Sequence, residues 1–149
     1  MRRSATAALL VVAAAIVWIL FSRSGADAGT VTLRDDDPAV VAEGAEIYAA
    51  QCASCHGANL EGQPDWRSRN AEGRLPAPPH DASGHTWHHD AESLFALTKY
   101  GVAQVIGDPA YQSDMPAFEG LLTDADIMAV LSYIKSTWPA EIRERHDGL

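Results

Sequence analysis

The sequence predicts an all-α fold, and three observations lead to that class. Apolar residues recur at three- and four-residue intervals in three segments after residue 37, each segment carries a helix-capping signal, and no stretch alternates as a strand does. The chain has 149 residues, of which 47% are hydrophobic and 21% are charged. This size and composition are typical of one globular domain with room for a targeting segment.

The first predicted helix begins after the cap Asp37, has Pro38 at its first position and runs to about Ala50. Gly44 lies on its apolar face and permits another helix to approach closely. The same face carries four larger residues, Val40, Val41, Ile47 and Tyr48. The last predicted helix is the expected partner of this face.

Two further helices are predicted toward the C-terminus. One covers Asp90 to Tyr100 and ends at Gly101, a residue type favoured just past a helix end. The other covers Thr123 to Trp138, opens with a capping box that pairs its first residue with Asp126, and is stopped by Pro139. Its apolar stripe consists of Ile127, Val130, Leu131 and Ile134.

Residues 1–28 have the pattern of a signal peptide or an N-terminal membrane anchor. Two arginines precede an uncharged apolar run, residues 5–21, and the positive-inside bias keeps those arginines cytoplasmic. Ala26-Asp27-Ala28 is a small-x-small cleavage site, whereas Trp18 in the bulky end of the run favours a retained anchor. We favour the anchor. In either case the globular part is expected on the periplasmic side of a bacterial cytoplasmic membrane, anchored or soluble after cleavage.

The rest of the chain divides into a linker, residues 29–37, and a globular domain, residues 38–149. The linker ends in three aspartates and is expected to be solvated. Eleven Lys and Arg against 20 Asp and Glu give a net charge of −9, with no basic stripe to neutralise phosphates. This excludes nucleic acid as a partner and predicts salt-sensitive docking to a basic face of a partner protein.

The only two cysteines lie in Cys52-Ala53-Ser54-Cys55-His56. Cys-x-x-Cys-His is the attachment sequence of c-type haem, in which two thiols one helical turn apart reach the vinyl groups on one porphyrin edge and the histidine reaches the iron. The alternative is a redox dithiol or disulfide followed by a chance histidine. It is disfavoured because a dithiol site of that kind should open a helix after a strand, and here the motif follows a helix.

Met115 is the leading candidate for a sixth iron ligand. It lies in the loop Ser113 to Phe118, before the last predicted helix, and Pro116 should stiffen that loop. A thioether ligand raises the reduction potential, as expected of an electron carrier. The alternative is a methionine that fills a gap in the core. Met128 is a weaker candidate, since it lies one residue off the apolar face of the last helix.

These motifs, in this order, resemble those of a class I, monohaem cytochrome c, over roughly residues 38–138. The resemblance implies three main helices around one covalent haem c, and electron transfer between Fe(III) and Fe(II). It also implies thioether bonds from Cys52 and Cys55 and axial iron ligation by His56 and Met115. Gly44 and Tyr48, one helical turn apart on the first helix, would then contact the last helix near Tyr133.

In this family a proline-containing loop also offers a backbone carbonyl to the proximal histidine. Leu75 to Pro79 resembles that loop, with Pro78 as the candidate, although Gln63-Pro64 lies closer in sequence. Trp87 would cover a haem edge or hydrogen-bond a propionate. Three arginines of the same region could pair with the propionates or face water: Arg67, Arg69 and Arg74.

Four histidines depart from the minimal pattern: His80, His85, His88 and His89. Clustered imidazoles can bind copper or zinc, or one could replace the methionine ligand. We favour a solvated loop, because no carboxylate or cysteine completes a site.

Three functions remain open from sequence. The chain is an electron carrier or a subunit of a respiratory oxidoreductase, with donor and acceptor proteins as partners and no enzyme activity of its own. It is a sensor or enzyme whose distal iron site is open or histidine-ligated. Or it is a copper-handling module that uses residues 80–89. The family resemblance favours the first.

Overall fold

The computed structural model describes residues 30–149, and the predicted signal or anchor segment lies outside them. The compact unit comprises Val31–Leu149. Its helices are α1 (Pro38–Gln51), α2 (Ala53–His56), α3 (Ala91–Tyr100), α4 (Val102–Val105), α5 (Asp124–Ser136) and α6 (Ala140–His146), with a 3₁₀ turn at Thr86–His88. The described residues contain no strand, only one isolated bridge between Glu119 and Leu122. The predicted all-α class is confirmed.

The three helices predicted from sequence are α1, α3 and α5, each within two residues of its predicted ends. The Asp37 side chain accepts from the N–H groups of Ala39 and Val40, which satisfies donors that the first turn leaves free. The capping box of Thr123 and Asp126 is present in both directions. In residues 30–149, none of these helices is both long and apolar enough to span a bilayer.

Helices α1 and α5 cross in direct backbone contact at Gly44. A methyl group placed on Gly44 would lie 2.6 Å from the carbonyl carbon of Ala129 and 2.8 Å from Cβ of Tyr133. One turn along α1, the rings of Tyr48 and Tyr133 pack with centroids 5.5 Å apart. The predicted approach of the two helices is therefore confirmed. The buried cluster around this crossing contains Tyr48, Leu60, Leu94, Ile127, Val130, Leu131, Ile134 and Trp138.

The segment predicted to be a solvated linker, residues 29–37, packs in part against α5. The backbone N–H of Arg34 donates to Oγ of Ser132 at 2.9 Å. The carboxylate of Asp35 lies 3.0 Å from Nζ of Lys135, whose side chain is only 5% exposed. A buried ammonium group requires a counter-charge, and Asp35 of the predicted linker supplies one. The composition alone does not reveal this pairing.

Candidate functional site

The Cys-x-x-Cys-His motif lies at the junction of α1 and α2. Cys52 ends α1 and caps α2, and its carbonyl accepts from the N–H groups of Cys55 at 3.1 Å and His56 at 2.9 Å. The two cysteines are therefore one helical turn apart, and neither forms a disulfide. Cys52 is half-buried and Cys55 is exposed.

Burial, with the neighbouring Cys55, raises the pKa of the Cys52 thiol to about 11. The Cys52 thiol is therefore not suited to be the attacking group of a redox dithiol, since attack requires a thiolate.

His56 is buried, with 7% of its surface exposed, and its Nδ1 lies 2.8 Å from the carbonyl oxygen of Pro78. A carbonyl only accepts hydrogen bonds, so Nδ1 carries the proton and the Nε2 lone pair is left for a metal. Burial lowers the pKa of His56, against the raising effect of the Pro78 bond. The imidazole is therefore held neutral, the form in which it binds metals.

The carbonyl comes from the Leu75 to Pro79 segment and not from Pro64, the other candidate left by the sequence. The Gln63 backbone N–H donates to the Ala77 carbonyl at 2.9 Å, and the Ala77 N–H donates to Oε1 of Gln63 at 2.9 Å. The two candidate segments thus bind each other, and this reciprocal pair holds the Pro78 carbonyl beside His56.

Gly62 brings the same two segments into backbone contact. Its φ of +68° lies in the left-handed region, and a Cβ there would lie 2.7 Å from the carbonyl carbon of Pro78. The Gly62 N–H also donates to the carbonyl of His56 at 2.8 Å. A glycine is required here for the loop to close onto the buried histidine.

Met115 is half-buried in a loop that is tied to two other parts of the domain. Its neighbour Asp114 forms an ion pair with Arg74, which precedes the proline segment. On the other side, the Phe118 N–H donates to the Thr98 carbonyl of α3 at 3.1 Å. The ion pair connects the methionine loop to the segment that holds the Pro78 carbonyl, and the backbone hydrogen bond connects it to α3.

The donor set fits haem c. Two unpaired cysteines stand one helical turn apart, next to a neutral buried imidazole with a free Nε2, and the chain adds a half-buried thioether at Met115. Thiols for the vinyl groups and imidazole and thioether for iron are the groups that a c-type site uses.

Trp87 is half-buried and packs against the core cluster. Its indole N–H donates to the carbonyl of Ala82 at 3.3 Å, and its ring stacks on His88 with centroids 3.7 Å apart. The indole N–H is thus used within the loop in this structure, and the expected role of Trp87, covering a haem edge or hydrogen-bonding a propionate, stays a prediction.

The three arginines expected near the propionates have other contacts. Arg67 lies over the ring of Trp66 at 4.0 Å, and Arg69 donates to the carbonyl of Gly73 at 2.6 Å. Arg74 is ion-paired with the loop that carries the methionine. None of these contacts singles out one arginine as a propionate partner.

Three of the four extra histidines lie against different aromatic rings, and the fourth, His89, contacts His85 with ring centroids 5.4 Å apart. His85 stacks on Trp66 with centroids 5.2 Å apart, His88 stacks on Trp87, and His80 stacks on His56. Within residues 30–149 there is no group of three or more His, Cys, Asp or Glu side chains arranged to hold a metal ion. The copper-handling alternative therefore gains no support. The contact between His80 and His56 was not predicted, since it joins residues 24 apart across an irregular loop.

Comparison with known proteins gives a consistent family match. The family model described as Cytochrome c matches residues 41–138. The chain is 30% identical over 104 residues to a cytochrome bc1 complex cytochrome c subunit of Corynebacterium efficiens, covering 67% of this chain and 35% of that protein.

A second relative is the cbb3-type cytochrome c oxidase subunit FixP of Rhizobium etli, 27% identical over 111 residues, which cover 72% of this chain and 35% of that protein. The chain thus spans about a third of the length of these two relatives. No solved structure matches the chain.

Proposed function

The chain belongs to the cytochrome c family, whose members carry covalent haem c, and from that premise we propose that it transfers single electrons between protein partners. The observation that carries the proposal is the buried His56, whose Nδ1 lies 2.8 Å from the Pro78 carbonyl, next to the two free cysteines. When bound, the haem supplies a one-electron Fe(III)/Fe(II) couple. The protein supplies attachment, axial ligands and control of access.

In this proposal Cys52 and Cys55 would attach the haem, and His56 and Met115 would ligate its iron. The Pro78 hydrogen bond fixes the tautomer of His56 and raises its basicity as a ligand. A thioether in the sixth position raises the reduction potential, and it occupies the site that a small molecule would otherwise enter. A complete ligand set in both oxidation states favours an electron carrier over a sensor or an enzyme.

We further propose an extracytoplasmic location and a role as a carrier or as one subunit of a respiratory oxidoreductase. The N-terminal apolar run with its preceding arginines supports export, and the named relatives are subunits of a bc1 complex and a cbb3-type oxidase. The net charge of −9 favours docking to a basic partner face, so association should weaken as salt concentration rises.

Carbon monoxide binding to the reduced holoprotein separates an electron carrier from an open-site haem protein. We expect reversible one-electron voltammetry and little or no change in the ferrous absorption spectrum on addition of carbon monoxide, because Met115 fills the distal position. Rapid, stoichiometric carbon monoxide binding to the native protein would instead support the sensor or enzyme alternative. Stopped-flow mixing of dithionite-reduced protein with the gas makes the measurement.

A further inference from the structure

His80 lies flat against the proposed proximal ligand. The ring centroids of His56 and His80 are 3.9 Å apart, and the two ring planes are inclined by only 23°. His80 follows Pro78 by two residues, so one short segment supplies both the carbonyl at Nδ1 of His56 and the ring over its face.

The backbone of His80 is fixed at both ends of the residue. Its N–H donates to the carbonyl of Leu60 at 2.8 Å, and its carbonyl accepts from the indole N–H of Trp138 at 2.8 Å. Leu60 and Trp138 both belong to the buried core cluster. These two hydrogen bonds therefore fix the backbone of His80 to the core, although the residue lies in a loop.

The side chain of His80 is fixed as well. Its Nδ1 lies 2.9 Å from Oγ1 of Thr86, whose hydroxyl donates to the carbonyl of Pro79 at 3.4 Å. The single hydroxyl proton of Thr86 is used in the bond to Pro79. The hydroxyl oxygen therefore accepts from His80, and Nδ1 of His80 carries the proton. The ring of Tyr48 packs edge-on to His80 at 6.2 Å. Thr86 and Tyr48 are both buried.

We propose that His80 is a positioning residue that fixes the plane of the His56 imidazole. The inference rests on the proposed function. A hydrogen bond at one atom determines the tautomer of His56 but leaves its ring some freedom to tilt, whereas a flat ring stacked at 3.9 Å restricts that tilt. When haem is bound, the orientation of the His56 ring would influence the splitting of the iron d orbitals. His80 would therefore act on the electronic structure of the iron through His56.

The test compares variants of the holoprotein by ferric electron paramagnetic resonance and by the spread of the haem methyl shifts in the proton NMR spectrum. His80→Leu removes the flat ring, and we expect altered g values and a changed methyl spread. His80→Phe keeps a flat ring but loses the hydrogen bond to Thr86, so its change should be smaller than that of His80→Leu and similar to that of Thr86→Val. His88→Leu is the matched control, since His88 stacks on Trp87 and not on His56, and it should give the wild-type spectra.

Thr86→Val leaves the His80 ring in place but removes the hydroxyl that orients it, so we expect a smaller change in the same direction. This variant also tests the proposal if His80→Leu fails to take up haem. Wild-type spectra from both His80→Leu and Thr86→Val would overturn the role of His80. Equal changes in His80→Leu and His88→Leu would do so too, and neither outcome would affect the proposed electron-transfer function. A native protein with no low-spin, histidine-ligated ferric signal would overturn the proposed function, and the role of His80 with it.

Discussion

Replacing both Cys52 and Cys55 with alanine is expected to abolish covalent haem attachment completely. The two thiols are the only cysteines in the chain, and they lie one helical turn apart with no disulfide between them. The change leaves the His56 to Pro78 hydrogen bond in place, because that bond depends on the loop and not on the thiols. Any remaining haem would be held by coordination and packing alone, and acidified acetone should extract it.

Ser54→Ala is the control, since Ser54 is exposed within the same motif and is assigned no haem contact. It should retain acid-resistant haem on a denaturing gel, whereas the double cysteine variant should retain none. Acid-resistant haem in the double variant would contradict the assignment of the two cysteines. The single variants should each keep one thioether bond, and mass spectrometry of the haem-bearing peptide would identify which thiol carries it.

Gly44→Val is expected to cause a large loss of stability. The added Cβ would lie 2.6 Å from the carbonyl carbon of Ala129 and 2.8 Å from Cβ of Tyr133, so α1 and α5 must separate to accommodate it. Overpacking a core costs about 1–3 kcal/mol and occasionally more. A clash with backbone cannot be relieved by a side-chain rotation, so we expect a loss of about 3 kcal/mol or more.

Denaturant unfolding of the holoprotein measures this effect. Ala42→Val is the matched control, because Ala42 lies on the exposed side of the same helix and the change costs only the difference in helix propensity, about 0.5 kcal/mol. Equal stabilities of the two variants would contradict the close crossing of α1 and α5.

Short sequence patterns predicted the three main helices of the domain correctly. Asp37 with Pro38, and Thr123 with Asp126, mark helix starts through hydrogen bonds that span only a few residues. Gly44 predicted the crossing with α5, since a glycine on an apolar helix face has few other uses. The haem attachment motif was also predictable from local sequence, because it consists of five consecutive residues, Cys52 to His56.

What the sequence did not predict depends on contacts between distant segments. Helix α6 follows a proline and is short and highly charged, so its periodicity carries little information. The pairing of Asp35 with Lys135 depends on the burial of a lysine, and the stacking of His80 on His56 depends on how a long loop closes. Neither leaves a local pattern. For the same reason the sequence favoured the Leu75 to Pro79 segment but did not exclude Gln63-Pro64.

The absorption spectrum of the ferric holoprotein tests the central claim most directly, because it reports the sixth iron ligand. The native protein should show the weak far-red band of a methionine-to-iron bond, and Met115→Ala should lose it. Met128→Ala serves as the control, since Met128 lies on α5 and is not an assigned ligand, and it should keep the band. A native protein without the band, or a Met115→Ala variant that retains it, would contradict axial ligation by His56 and Met115.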